Sequence, residues 1–540
     1  MIPRDMNFAD PQQCRKVLDQ LPLTNLPLAY ETLSALIGGM QNTPPAPIGY
    51  FEVLEAARMP LAFVHEQMAE RYAAKPLPPD STDDEVLRHV VGLWQAVARS
   101  YAQLARLGAQ DPAAQARMAT VCHRSIHYSG RTIVEYYRAR RELPRGVWAD
   151  LHGYFARAEE LAVARTPVPE SLNEATQNET CEAAYAAVLL IDLANPYGRS
   201  PREFLWICRW AQRFAALVAV TPADESDPPR TYGVDLMLDH GLVPMDQQAR
   251  SETLRRLDGT ALAQEIQRIL SKLKKKVAPS ALGLGDDCQE PACGRLLLQL
   301  FRPWCLAATA RRFPRRPAAG VAEICNGFEA IHYYVGGTEF VQPDHVRVYS
   351  RDEFDTIVTF RYMVDPAQPL HVHAAQMGFV LENWQVVDHS VSGFRLQRSE
   401  AGCRVEYGEL IGLRPPDSKI FLLCKVSWLM FQGTGNLFAG VFVLPGTPQA
   451  IAVRPTGLAV SPSERYVRAF LLPAVEALKE KNSLVLPRGW YRPERVIEIY
   501  TVESRQVRLE ELLTQGSNFD RVSFTPLPRQ ETPAAPGSGR

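Results

Sequence analysis

We base the fold prediction for the second half of the chain on the stretch Val386-Val-Asp-His-Ser-Val-Ser-Gly-Phe-Arg-Leu396. It enters on a β-prone apolar run, turns through Asp388, Ser390 and Gly393, and leaves on a second β-prone run. Aspartate and serine side chains hydrogen-bond nearby backbone N–H groups, and glycine adopts conformations that other residues resist. We therefore expect a strand–turn–strand corner whose amides and small polar side chains suit a phosphate or a purine edge.

The densest cationic cluster lies upstream of this corner, in Arg311-Arg-Phe-Pro-Arg-Arg-Pro317. It contains two arginine pairs of equal spacing, Arg311 with Arg315 and Arg312 with Arg316. The whole chain has a net charge of −1 and a pI near 6.8, so no global basic field attracts nucleic acid or anionic lipid. Any anion-binding site must therefore be local.

Short β-prone runs separated by turn residues fill the chain after the arginine cluster. The runs are Val321–Val335, His345–Tyr349, Asp355–Met363, His371–Phe379, Trp384–Val387, Phe394–Gln397, Tyr407–Leu413, Phe421–Met430 and Leu437–Leu444. Many short strands at this spacing favour an antiparallel barrel. Further along, we expect a helix over Ser463–Lys479 and late strands over Arg495–Tyr500 and Val522–Phe524.

The arginine pair RxxxR followed by DxSxxG resembles the signature of PilZ domains, bacterial barrels that bind cyclic di-GMP. The resemblance extends to Tyr407-Gly-Glu-Leu-Ile-Gly-Leu413, which looks like the family strand with a glycine before an apolar pair. Lys425-Val-Ser-Trp428 and Gly440-Val-Phe-Val443 look like its last hairpin. The similarity covers roughly residues 311–444.

The resemblance implies a site for a ligand with two guanines and two phosphodiesters. An arginine guanidinium can pair with a guanine edge or a phosphate and can stack on a purine, which lysine does less well. The implied ligand-binding residues are Arg311, Arg312, Arg315, Arg316, Asp388, Ser390 and Gly393. The sequence does not choose between the two arginine registers. Gly393 is expected to let the ligand approach the backbone.

The two motifs stand further apart than in typical PilZ domains. We interpret Ala322–Tyr334 as the usual first strand and Gly337–Phe379 as an inserted hairpin. If the insertion leaves the arginine cluster Arg311–Pro317, called the arm below, near the barrel, we expect a cyclic di-GMP receptor. If the insertion moves the arm away, we expect the alternative, a degenerate PilZ-like adaptor that acts only through protein–protein contacts.

The first half of the chain is predicted to be helical from Pro11 to about Lys276. Apolar residues recur at three- and four-residue spacings over a helix from Thr82 to about Leu107, ending at Gly108. Further predicted helices cover Ala114–Arg141, Val147–Ala164, Glu179–Leu193, Pro201–Val218 and Gln247–Lys275. No fixed-period repeat is visible, which favours an irregular helical bundle.

The predicted fold is multidomain α+β, with an N-terminal all-α helical bundle followed by a C-terminal antiparallel PilZ-like β-barrel. The predicted limits are a helical domain at 1–276, a linker or hinge at 277–310, a barrel domain at 311–527 with an insertion near 337–380, and a disordered tail at 528–540.

Composition excludes several classes of protein. The most apolar stretch, Ala184–Leu193, is far shorter than the roughly 20 residues that span a bilayer. The start of the chain lacks the basic and apolar regions of a secretory signal. Ten scattered cysteines suit reduced thiols. We therefore expect a cytoplasmic bacterial protein with no membrane insertion.

Other candidate sites have simpler interpretations. Cys288 and Cys293 have an imperfect zinc spacing without a second pair, and His371 with His373 lacks a third ligand, so we expect no metal. The lysine run Lys272–Lys276 suits a solvated helix end. No GxSxG, P-loop, GxGxxG or HExxH motif is present, and the chain is not expected to be an enzyme or to need a cofactor.

The sequence thus predicts a receptor for cyclic di-GMP that relays binding to the helical domain or to a protein partner. The non-binding adaptor is the alternative. Nucleic acid is not an expected partner.

Overall fold

A computed structural model of the chain describes residues 6–73, 75–173, 177–228, 230–306, 315–343, 374–399, 401–456, 465–501 and 503–528. Contacts within the chain define two compact units. Unit 1 contains Met1–Lys75, Pro79–Arg312 and Met430–Gly433, and unit 2 contains Pro76–Pro78, Phe313–Leu429 and Thr434–Arg540.

Unit 1 is mainly helical, as the sequence predicts for the first half of the chain. Its α-helices are α1 Pro11–Asp19, α2 Leu26–Asn42, α3 Pro47–Ala69, α4 Ser81–Leu107, α5 Pro112–Gln115, α6 Met118–Arg138, α7 Val147–Glu160, α8 Cys181–Leu193, α9 Pro201–Phe214, α10 Thr260–Lys274 and α11 Ala292–Cys305. Its strands are β1 Val168–Pro169, β2 Asn178–Glu179, β3 Ala219–Pro222, β4 Tyr232–Asp235, β5 Val243–Pro244 and β6 Leu254–Asp258.

Helix caps fix several of these boundaries. In α9, the Ser200 hydroxyl accepts the Glu203 N–H and the Glu203 carboxylate accepts the Ser200 N–H, with Pro201 in the first turn. Helix α4 begins at Ser81, one residue before the predicted start at Thr82, because Asp80 is its N-cap and accepts the Asp83 N–H at 2.8 Å. It ends at Gly108, as predicted.

Helix α8 lies at the centre of unit 1. Every residue from Ala183 to Ile191 is buried, and a helix that is apolar on all sides requires packing partners all round. The Trp304 indole N–H of α11 donates to the Leu190 carbonyl of α8 at 2.7 Å.

Two predicted segments of unit 1 differ in the structure. The helix expected over Gln247–Lys275 starts only at Thr260, because Leu254–Asp258 pairs with both β3 and β4 in a small antiparallel sheet. Residues 277–310, the predicted linker, contain α11, whose apolar face is buried in the core of unit 1. The limits of the functional domains stay a prediction.

Unit 2 is built mainly of strands. They are β7 Arg316–Pro317, β8 Val321–Asn326, β9 Glu382–Ser390, β10 Gly393–Ser399, β11 Leu410–Arg414, β12 Leu422–Phe431, β13 Asn436–Val443, β14 Gln449–Pro455, β15 Val467–Leu472, β16 Ser483–Pro487, β17 Val496–Tyr500, β18 Ser504–Gln515 and β19 Phe519–Pro526. The helix α12 Phe328–Gly336 follows β8.

The strands of unit 2 form two closed sheets. In the first, the order β10-β13-β12-β11-β8-β9 is closed by the pairing of β9 with β10, and β7 also pairs with β9. In the second, β14-β15-β16-β19-β18-β17 form a closed barrel. The sequence predicts the β-rich half of the chain and many of its strands, but it does not separate this second barrel from the first.

Two local predictions in unit 2 are wrong. The β-prone run Val321–Val335 contains β8 and then α12, whose residues Ile331 and Tyr333 are buried. The helix expected within Ser463–Lys479 is instead strand β15, which pairs with β14 and β16 and buries Phe470. The residues 344–373 of the predicted insertion lie outside the described part of the chain.

The core of unit 1 holds a buried ionic network around Glu170. The Glu170 carboxylate accepts hydrogen bonds from Arg58 at 2.5 and 2.7 Å and from Arg124 at 2.7 Å, and its side chain is fully buried. Burial raises the pKa of the Glu170 carboxyl, but electrostatic interactions with His127, Arg124 and Arg58 and the hydrogen bond from Arg58 outweigh it and lower the pKa to about 2.

We expect Glu170→Gln to reduce the stability of unit 1 by about 3–5 kcal/mol, because it removes the buried carboxylate that Arg58 and Arg124 share and leaves them only the partly exposed Glu55. The depressed pKa adds a pH dependence. The stability from Glu170 is complete above its ordinary pKa of 4.5 and is lost as the pH falls toward about 2. Urea unfolding followed by helical circular dichroism at several pH values measures both effects.

Glu160→Gln is the matched control, because Glu160 forms an exposed pair with Arg157. Such pairs contribute about 0–1 kcal/mol. Equal losses for the two variants would contradict a structural role for the buried network.

Candidate functional site

Strand pairing brings the arginine arm to the DxSxxG corner. Arg316 and Pro317 of β7 pair antiparallel with His389 and Asp388 of β9. The Arg315 guanidinium donates to the Asp388 carboxylate at 3.0 Å. Arg315 and Asp388 are 73 positions apart along the chain, yet their side chains are in contact.

The pairing continues beyond the arm. The Ala318 N–H donates to the Val387 carbonyl, the Val386 N–H donates to the Gly320 carbonyl at 2.9 Å, and β8 then pairs with β9 from Val321 onward. Residues 316–324 therefore follow β9 almost continuously. The predicted insertion near 337–380 begins only after β8 and α12 in the sequence.

The corner lies on the outer face of the first barrel. Directly paired residues of antiparallel strands point to the same side of the sheet. Leu396, Ala439 and Val386 are buried in the interior. Asp388, paired with Arg395, belongs to the opposite, outer face.

A β-bulge at Val387 marks the middle of the corner. Arg395 faces Asp388 while the next residue, Leu396, faces Val386, so two residues of β9 oppose one residue of β10. Bulges twist a strand and redirect its side chains, and they are common beside functional sites. Here the bulge keeps Val386 in the core and Asp388 outside.

The hairpin turn consists of Val391 and Ser392, which join β9 to β10. The Ser390 hydroxyl is 3.5 Å from the Gly393 carbonyl, a long hydrogen bond that a ligand can replace. Val391 is 74% exposed at the tip. Ser390 is therefore available at the edge of the same outer face.

Gly393 has a structural role that the sequence does not predict. A Cβ atom on Gly393 would lie 2.1 Å from the Val441 carbonyl oxygen of β13. The glycine thus permits the close approach of β10 and β13, which pair from Gly393–Phe442 onward. Its expected role as an approach path for ligand stays a prediction.

Sequence reasoning missed an aromatic platform beside the corner. The Trp428 indole lies over Gly440, where a Cβ would overlap the ring. The Arg395 guanidinium carbon lies 5.9 Å from the centre of the Trp428 ring and 5.2 Å from that of Phe438. Arg395, Trp428, Phe438 and Gly440 are called the platform below. The alternation of side chains along the strands could have revealed the platform, because it puts Gly440 and its partner Arg395 on the same outer face.

One hydrogen-bond donor of the platform, the Nε–H of Arg395, is unpaired among the described residues. This N–H is also buried. Contact with two aromatic faces partly compensates the charge of Arg395.

The remaining predicted residues divide into two groups. Arg311, Arg312, His371 and His373 lie outside the described residues. Lys272 and Lys274 lie in the last turn of α10, as expected for a solvated helix end. In the described part of the chain, no helix has the length and apolar character needed to cross a membrane.

One group of side chains in unit 1 has the geometry of a metal site. Ligand atoms of His123, Glu170 and Glu179 lie within 4.8 Å of one another. Arg124 donates to the Glu170 carboxylate and also contacts His123 Nδ1 at 2.9 Å. Glu179 contacts His123 Nε2 at 3.3 Å. Since Arg58 and Arg124 already donate to Glu170 and Arg124 also contacts His123, we interpret the group as part of the ionic network.

Three family models match the chain in succession. The model of the cyclic-di-GMP receptor FimW N-terminal domain matches residues 12–225, that of its middle PilZ domain residues 243–356, and that of the FimW C-terminal β-barrel domain residues 451–527. The resemblance to PilZ domains is therefore confirmed. The segment 388–393 lies between the matched ranges.

A curated relative supports the same comparison. The cyclic-di-GMP receptor FimW of Pseudomonas aeruginosa is 23% identical over 443 residues, which cover 73% of this chain and 70% of the relative. The third matched range corresponds closely to the second barrel, β14–β19.

We expect Gly393→Ala to lower the stability of unit 2 by about 1–3 kcal/mol in the absence of ligand, because the added methyl group collides with β13. Thermal unfolding of the free protein measures this. Gly433→Ala is the control, since a Cβ there meets nothing within 4 Å. An unchanged melting temperature together with lost ligand binding would instead support the originally predicted role.

Proposed function

We propose that this chain, whose successive segments resemble the three domains of the cyclic-di-GMP receptor FimW, binds cyclic di-GMP on the outer face of its first barrel. The observation that carries the proposal is the pairing of Arg316–Pro317 with Asp388–His389. It supports a shared site, because Arg315 and Arg316 then lie beside Asp388. The role proposed is that of a receptor and not of an enzyme.

The chemistry of the corner suits the ligand. Arg315 and Arg316 supply cations for phosphodiesters and guanine edges, and the Asp388 carboxylate can accept from guanine N–H groups. Ser390 adds a small donor and acceptor at the turn. Arg311 and Arg312 extend the arm, and the choice of arginine register remains part of the proposal.

The ion pair between Arg315 and Asp388 is suited to exchange with a ligand. The two side chains are 34% and 18% exposed. Partly exposed pairs of this kind contribute only about 0–1 kcal/mol, so little is lost when they separate. A phosphate can then take the guanidinium and a guanine can take the carboxylate.

The platform provides a surface for the purine ring. Stacking of a base on an aromatic side chain contributes roughly 1–3 kcal/mol. Trp428 and Phe438 lie beneath the Arg395 guanidinium on the face that carries Asp388. We propose that one guanine stacks here.

The signal would pass along the chain that joins α11 to β7. This chain carries the arginines, so a ligand that fixes them also fixes the connection to the helical half. The output would be an altered contact with the helical domain or a protein partner. The rival function is the non-binding adaptor, which the position of segment 388–393 outside the matched ranges keeps open.

Titration of the full-length protein with cyclic di-GMP tests the proposal. We expect micromolar or tighter binding by calorimetry, with poor competition from GMP or linear pGpG, which lack the cyclic pair of guanines. Arg315→Ala and Asp388→Ala should each weaken binding by about 1.5–3 kcal/mol, the range for charged hydrogen bonds. Lys274→Ala, at a solvated helix end, should have little effect.

Two results would contradict the proposal that the chain is a cyclic di-GMP receptor. Absence of heat and of thermal shift at saturating ligand would favour the adaptor. Equal losses in the Arg315→Ala and Lys274→Ala variants would indicate nonspecific anion binding.

The platform is tested separately with Trp428→Ala. We expect a loss of about 1–3 kcal/mol in cyclic di-GMP binding, with partial recovery in Trp428→Phe. Trp490→Ala is the matched control, because this partly buried tryptophan lies in the second barrel. Melting temperatures of the free variants separate a stacking role from a folding defect, and full binding by a folded Trp428→Ala protein would remove the platform from the site.

A further inference from the structure

The outer face of α3 presents large apolar side chains to solvent. Met59 is 62% exposed, Phe63 is 47% exposed, and Ala56 is exposed as well. Residues three or four positions apart on a helix are neighbours on its surface, so these three side chains form one patch. Single exposed apolar residues are normal on a soluble protein, whereas a contiguous apolar patch marks an interaction site.

The patch is the middle of a longer stripe along α3. The stripe consists of Glu52, Ala56, Met59, Phe63, Glu66 and Glu70, and it is called the α3 stripe below. Its spacings alternate between four and three residues, which keeps the side chains on one side of a helix and is the pattern by which two helices pack along each other. The buried residues of α3, such as Val53, Leu61 and Val64, lie on the opposite side. The core of unit 1 therefore does not use the α3 stripe.

One end of the α3 stripe is acidic where a helix favours cations. Helix α3, which is described in full, has no basic residue in its last turn, and Glu66 and Glu70 lie there. Carboxylates are unfavourable beside the partial negative charge of a helix C-terminus. Arg138 pairs with Glu66 at 3.2 Å, but the Glu66 side chain remains 55% exposed. Helix stability alone does not explain the two glutamates, whereas a partner with lysine or arginine side chains does.

A cavity of about 190 Å³ opens beside this acidic end, with Glu66 and Glu70 at its edge. Apolar groups make up most of its lining, which includes Tyr137, Pro196, Pro201, Phe204 and Leu205. Three guanidinium groups also reach the cavity and donate to oxygens of unit 1. They are Arg138 to Glu66, Arg140 to the Arg199 carbonyl, and Arg199 to the Ala194 carbonyl. The cavity is thus suited to one apolar side chain, the kind of group that anchors an interface.

We propose that the α3 stripe docks an amphipathic helix of another protein. The apolar side chains of that helix cover Met59 and Phe63, and one of them enters the cavity. Its lysine or arginine side chains pair with Glu66 and Glu70. This is the helix-on-helix mode of recognition, in which apolar anchors recur at three- and four-residue spacings.

Charge complementarity selects this occupant over others. Glu66 and Glu70 repel nucleic acid and anionic lipid. A second copy of this chain fits less well, because antiparallel pairing of Met59 with Phe63 places Glu70 of one copy opposite Glu52 of the other. Like charges in an interface are unfavourable, and Glu52 already pairs with Arg15 of its own chain at 2.9 Å.

Selection from a displayed library of helical peptides tests the proposal on the full-length protein without cyclic di-GMP. The peptides need roughly 20 residues, because the α3 stripe is about 27 Å long at 1.5 Å per residue. We expect enriched sequences to carry apolar residues at three- and four-residue spacings and lysine or arginine near one end. Since no dinucleotide is present, the outcome is independent of the receptor function proposed above.

Variants locate the binding of an enriched peptide. Met59→Gln and Phe63→Gln should each weaken it by at least about tenfold, as expected for central interface residues. Glu70→Gln should weaken it and reduce its dependence on salt. Met237→Gln is the matched control and should have no effect, because Met237 is 77% exposed in the turn after β4. Unchanged melting temperatures show that the variants, all at exposed positions, remain folded.

Three results would overturn the proposal. The first is failure to enrich any peptide on the native protein over the Phe63→Gln variant, and the second is enrichment of acidic sequences. The third is a dimer of the native protein, seen by light scattering, that Phe63→Gln dissociates, which would assign the α3 stripe to a second copy of the chain.

Discussion

The antiparallel pairing of residues 316–324 with β9 is the constraint on which the first barrel and its candidate site depend. Backbone hydrogen bonds set the register, with Pro317 opposite Asp388 and Val321 opposite Gln385. The position of the arm therefore does not depend on how many residues lie between the motifs. The entropic cost of closing a loop grows only slowly with its length, so a long insertion is compatible with a short distance between Arg315 and Asp388.

The rigid part of the candidate site is its backbone pairing, and the exchangeable part is its side-chain contacts. The main-chain pairs and the close approach of Gly393 to Val441 belong to the framework. The side-chain contacts above it are weaker, and the partly exposed pair of Arg315 with Asp388 is easily replaced. A preformed framework with replaceable surface contacts reduces the ordering cost of binding a ligand.

Much of the architecture follows from local sequence rules, and the exceptions have tertiary causes. The caps at Ser200 and Gly108 identify helix boundaries because they act within one turn. Strand β15 and helix α12 are misassigned because burial between neighbouring elements overrides intrinsic propensity. The platform is missed for a related reason: Arg395 and Trp428 meet only through the register of three strands.

Helix α12 explains why the two barrels of unit 2 cannot be treated as separate bodies. Its buried residues, including Ile331, share one apolar cluster with Leu410 and Leu423 of the first barrel and with Phe470 and Val485 of the second. Close-packed cores deform little, because small displacements create voids or overlaps. Since β8 leads directly into α12, the framework beneath the candidate site is held from within. Any rearrangement of one barrel against the other would therefore have to disrupt this shared cluster.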